Sequence, residues 1–163
     1  MEGVSPDCEV VIIDAQLLWA AQNNHLHFAA SLMRKVNLGD DSGRGGKMRL
    51  MACFLGLQDE GLRSAVRKGH TQMLELLLGF VAERAPGNLE AAWKDCWEVT
   101  LKEENAEMAK WVLKQGPWET EDAVNSAMKM AREAGMWEVA EFAYGIGHER
   151  FGRGWRRRGK GKQ

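Results

Sequence analysis

The sequence predicts an all-α fold, a helical solenoid of about four helix–turn–helix units with one inserted helix. Three observations carry that expectation. Apolar residues recur at spacings of three and four through most of the 163 residues, the pattern of one buried helix face. Alternation with period two is missing, and Val10–Ile13 is the only β-branched cluster, too short to define a sheet. Finally, four turn positions align so that the columns on either side of them match.

The aligned turns are Asn24, Gly69, Glu104 and Gly135, separated by 45, 35 and 31 residues. Seven residues before each stands a large apolar side chain, Leu17, Leu62, Trp97 or Met128. Four before stands a small one, Ala20, Ala65, Thr100 or Ala131. Four after come Phe28, Met73, Met108 and Val139, and five after come Ala29, Leu74, Ala109 and Ala140. Seven after are Ser31, Leu76, Trp111 and Phe142, and eight after are Leu32, Leu77, Val112 and Ala143. Each unit reads as two short amphipathic helices around a tight turn, with small residues on the first helix to let a neighbour approach closely. A pair of this length cannot bury its apolar face alone, so stacking is the natural solution.

In chain order, residues 1–13 form an N-terminal segment and residues 14–147 the repeat domain. The first unit spans about 14–36. Residues 37–47, rich in Gly, Asp and Ser, have the composition of a loop. Residues 48–58 continue as an additional helix. Units two to four span about 59–84, 88–116 and 119–147, with the outer helix of unit two running to about Arg84 before Pro86 stops it. Residues 148–163 are a basic, Gly-rich tail unable to bury enough apolar surface to fold alone, and its glycines hinder any helix that would continue from Ala143.

The best-formed unit, residues 62–78, has Ala65 in an inner helix, then Gly69-His70, then an outer helix ending in the Leu76–Leu78 run. It resembles the ankyrin repeat. Residues 23–28 look like the same turn in an earlier unit, 105–116 like a third outer helix with its terminal Gly, and 135–142 like a fourth. Residues 36–43 are similar to the family's finger loop. The resemblance covers roughly residues 14–147. It implies a scaffold that binds a protein segment on its concave face, and a His70 ring that bridges neighbouring loops by hydrogen bonds. Departures are plain: no unit has the Thr-Pro-Leu-His start, and the last two turns lack the histidine.

Composition excludes several classes. Hydrophobic residues make up 45% and charged residues 28%, a globular balance. No apolar run approaches the length of a membrane span. The N-terminus carries acids where a signal peptide needs bases, which sets the expectation of a cytosolic or nuclear protein. Cys8, Cys53 and Cys96 are odd in number and far apart, so neither a disulfide framework nor a zinc site is expected. No HExxH, GxSxG, phosphate loop or dinucleotide turn is present. His25 and His27 are two apart and cannot pair as i,i+4 metal ligands. The expectation is therefore a non-enzyme with no cofactor and no metal.

Partner-binding candidates are aromatic and basic. Of seven tryptophans, Trp97 and Trp111 fall in core columns. Trp19, Trp118 and Trp137 fall outside them, where they serve either as interface anchors or as fillers of the gaps left by the missing Thr-Pro-Leu-His starts. In an ankyrin-like array Trp19 would face the concave groove. Arg63, Arg67 and Lys68 would line that groove and favour an acidic or phosphorylated segment, or are solvated surface charge. The tail supplies the other signal. Residues 150–163 hold seven bases and no acid, leaving 15 bases against 23 acids, about −8, in residues 1–149. Arg153, Arg156, Arg157, Arg158, Lys160 and Lys162, with Trp155 among them, suit a phosphate backbone with a base stacked on the indole. The same run suits a nuclear import receptor, an anionic membrane surface, or the chain's own acidic body. A ribonucleoprotein-associated subunit or assembly factor is thus the second functional expectation.

Overall fold

The computed structural model describes residues 15–38 and 60–152. The N-terminal segment, all but the first two residues of the expected 37–47 loop, the expected 48–58 helix and residues 153–163 lie outside the described residues. Among the described residues there are eight α-helices and no strand. Helix α1 covers residues 15–22 and α2 Leu26–Leu38. Helix α3 covers 60–67 and α4 Thr71–Arg84, followed by a 3-10 turn at Pro86–Asn88. Then come α5 at Leu89–Lys102, α6 at Ala106–Gln115, α7 at Glu121–Glu133 and α8 at Trp137–Phe151. No described helix is long and apolar enough to cross a membrane.

Among the described residues, the four aligned turns are the interhelical sites of positive φ: Asn24 at 56°, Gly69 at 72°, Glu104 at 52° and Gly135 at 75°. A left-handed residue after the last helical turn frees two amides to cap the helix it ends. The amides of His25, His70, Asn105 and Met136 each donate to the carbonyl five residues back, on Ala20, Ala65, Thr100 and Ala131, at 2.8–3.0 Å. Those four acceptors are the small-residue column, and all four are fully buried. Thr100 is tolerated among alanines because its hydroxyl donates to the Trp97 carbonyl at 2.7 Å. Asn105 and Thr120 cap α6 and α7, accepting from the amides of Met108 and Ala123.

The chain divides into two compact units, Met1–Asp95 and Cys96–Gln163, with the division inside α5. In the first, α4 packs on α2, and Leu62, Met73, Leu74 and Leu77 are almost fully buried. In the second, α8 packs on α7 and on α6, around Trp97, Met108, Val112, Val124 and Val139. Truncating a leucine in such a core to alanine costs about 2–5 kcal/mol.

Burial follows the columns with one systematic departure. The columns five and eight after the turn are buried in all four pairs, but the column seven after is half-buried or exposed throughout. Helical geometry gives the reason: at about 100° per residue, positions four, five and eight share one arc, and position seven lies about 60° outside it. Trp111, expected in the core, is therefore half-buried. Phe28, at the edge of the arc in the first pair, is 40% exposed.

Two helices outrun their expected ends. Helix α2 reaches Leu38, two residues into the expected loop. Helix α8 continues through Gly145 and Gly147 to Phe151, four residues past the expected boundary at 147. Each helical glycine costs about 1 kcal/mol, and two tertiary contacts offset it: α8 docks on α6 and α7, and Arg150 Nη1 donates to the Trp118 carbonyl at 2.9 Å.

The left-handed turns sort the substitutions there. Gly69→Ala puts a Cβ on a φ of 72° and is expected to lower stability by about 1 kcal/mol, whereas Glu104→Gly is expected to raise it by up to about 1 kcal/mol. Urea unfolding of the two variants checks the pair, and equal signs would contradict the turn assignment.

Candidate functional site

The left-handed turn at Asn24 builds a three-ring cluster on the first unit. It returns the chain so that the His25 ring lies flat on Trp19, with centroids 4.7 Å apart and planes 12° apart. Phe28, one turn into α2, meets Trp19 edge-on at 6.2 Å and 82°. Asn23 Nδ2 donates to the Trp19 carbonyl at 2.8 Å and fixes the end of α1 beneath them. Trp19 remains 50% exposed. The result is a rigid aromatic surface on helices, the usual form of an interface anchor.

The bases expected beside it have other partners. Arg63 makes a two-pronged bond to Asp95, Nε to Oδ2 and Nη2 to Oδ1, both at 3.0 Å, tying α3 to α5 within the first unit. Arg67 pairs with Glu60 on its own helix at 3.4 Å. Lys68 Nζ donates to the Gln22 carbonyl at 2.7 Å, joining the ends of α1 and α3. The loop-bridging task expected of His70 thus falls to Lys68. The His70 ring makes no hydrogen bond among the described residues.

Trp118 and Trp137 separate cleanly. Trp118 lies in the loop after α6 but is half-buried: its Nε1 donates to the Val112 carbonyl at 3.0 Å, and its ring meets Trp97 edge-on at 5.9 Å and 67°. It fills a gap and closes the end of α6. Trp97 is buried, and its own Nε1 has no hydrogen-bond partner among the described residues. Trp137, first residue of α8, is 66% exposed. Nearby, Lys110 of α6 bonds Glu138 of α8 and Glu107 of its own helix. The Glu138 bond, more than Glu107, raises the Lys110 pKa above its ordinary value. That contribution is present below the unfolded-state pKa and is lost only as pH rises through the higher folded one, so it is constant near neutrality.

Cys96 is buried and forms no disulfide among the described residues. No group of three or more His, Cys, Asp or Glu that could hold a metal ion occurs among the described residues. Arg153, Trp155, Arg156, Arg157, Arg158, Lys160 and Lys162 lie outside the described residues, so the tail contributes no geometry. Sequence reasoning missed His25 and Phe28 as surface rings, because His25 was matched to a turn histidine and Phe28 to a core column. Comparisons with protein-family models, curated proteins and solved structures return no significant match.

Gly116 is held by the tryptophan it precedes. A Cβ there would stand 2.6 Å from Trp118 Nε1 and 2.8 Å from the Val112 carbonyl, which belongs to the backbone and cannot give way. Gly116→Ala is expected to expel the Trp118 ring and cost about 1–3 kcal/mol. Chemical denaturation read by tryptophan emission measures both effects, and a variant with unchanged emission and stability would refute the packing role.

Proposed function

We propose that the chain is a non-catalytic protein–protein interaction scaffold of ankyrin-repeat type, a short solenoid of helix–turn–helix units that binds a protein segment on its concave face. The recurrence of one turn geometry at four aligned positions supports a repeat, as does the contact between successive outer helices, α2 with α4 and α6 with α8. Within this reading the units stack and the protein works in the cytosol or nucleus.

The observation that carries the binding site is the exposed Trp19–His25–Phe28 cluster. In an ankyrin-type array the position five before the turn faces the groove, which assigns Trp19 to that face. Because Arg63 and Lys68 are already hydrogen-bonded, the rings rather than free cations supply the attraction. An apolar or aromatic side chain of the ligand seated on them would be the anchor.

The test compares the full chain with Trp19→Ala as bait for a protein retained from cell extract, with nuclease present. Loss of the Trp19 ring is expected to weaken a specific partner about tenfold or more without lowering the melting temperature. Retention that is indifferent to Trp19 but abolished by nuclease would replace this reading with the ribonucleoprotein one, in which the basic tail contacts RNA.

A further inference from the structure

Helix α8 has one exposed face, which among the described residues only Lys110 of α6 reaches, at Glu138. Trp137, Glu138, Glu141, Phe142, Gly145, His148 and Glu149 are all exposed, and at about 100° per residue they fall within one arc of about 140°; Glu138 within it is already paired with Lys110. Trp137 and Phe142 edge that arc, 66% and 36% exposed. A Cβ at Gly145 would meet nothing within 4 Å, so the middle of the face is open. Glu141 and Glu149 make no ion pair or hydrogen bond among the described residues. The face is therefore aromatic at its edges, mainly acidic between them with His148 among the carboxylates, and indented at its centre.

The segment that follows has the complementary chemistry. Residues 96–152 carry 11 acids against six bases, while residues 153–163 carry six bases and no acid. The join is Gly152, with φ 76° and ψ −174°, a backbone state essentially confined to glycine. It takes the chain off the helix axis three residues after Glu149. We propose that residues 153–163 dock in cis along this face of α8, running back toward Trp137. The spacings agree. Glu149 to Glu141 is about 12 Å along the helix, and Arg153 to Arg157 in an extended chain is about 13 Å. Arg153 then stands by Glu149, Trp155 covers the gap at Gly145, and the Arg156–Arg158 run reaches Glu141 and the indole of Trp137. An arginine there pairs with the carboxylate while stacking on the ring, a combination lysine serves less well. Docked, the segment is withheld from phosphate-bearing ligands. Released, it is available to them. This inference does not depend on the groove reading.

Amide and indole NMR spectra of the full chain test it, compared with full chains carrying Arg156→Gln, Arg157→Gln and Arg158→Gln together, or Glu141→Gln and Glu149→Gln together. At low salt both variants are expected to shift the Gly145 amide and the Trp137 indole in the same direction. The wild-type signals should move to the same positions at about 1 M salt, where the screening length is about 3 Å. Signals that coincide in all three chains at low salt overturn the proposal. So does a difference that grows with protein concentration, which would place the contact between copies, or one that survives both variants and salt.

Discussion

The rest of the described structure depends on how each helix pair is closed. A helix that ends without caps leaves carbonyls without partners, and here every first helix ends the same way. One residue enters the left-handed region, and the next amide returns to a carbonyl five residues back. The accepting residues Ala20, Ala65, Thr100 and Ala131 are all fully buried, and their small side chains let a packed neighbour approach the end of the helix. The turn also fixes the rotational phase of the second helix, and so decides which columns are buried. Two of the four turns carry this geometry on Asn24 and Glu104 rather than on glycine. Asparagine tolerates it through its short polar side chain, whereas glutamate bears the full steric cost.

Local features of the chain were legible. The four turns, the small-residue column and the stop near Arg84 all follow from residues within about eight positions of each other, and each has the expected place. What was not legible is long-range. Asp95 holds Arg63 from 32 positions away and the Gln22 carbonyl holds Lys68 from 46, and nothing in the neighbourhood of either cation announces the partner. The reach of α8 through two glycines has the same origin, since propensity argues for a stop and tertiary docking outweighs it. Trp118 was ambiguous in the sequence between anchor and filler, and only the Val112 carbonyl decides it.

Consumption of the cations changes what the exposed rings can do. A groove lined by free Arg63 and Lys68 would attract acidic ligands at long range and lose them in salt. With Arg63 in a two-pronged bond and Lys68 on a backbone carbonyl, an acidic ligand must first displace an existing partner. Such half-exposed pairs are worth only about 1 kcal/mol or less, but the displacement removes most of the gain. On the proposed binding role, the Trp19 cluster would recognise a ligand by area and ring geometry, and a ligand seated there should be insensitive to salt. On α8 the balance is reversed. Glu141 and Glu149 hold no described partner, and the exposed Trp137 and Phe142 rings flank rather than replace them. A ligand of that face gains from charge as well as from stacking, and ionic strength governs its release. Two aromatic surfaces on one chain thus differ in the property that separates a constitutive contact from a switchable one, and the difference traces to whether nearby charges were used in folding.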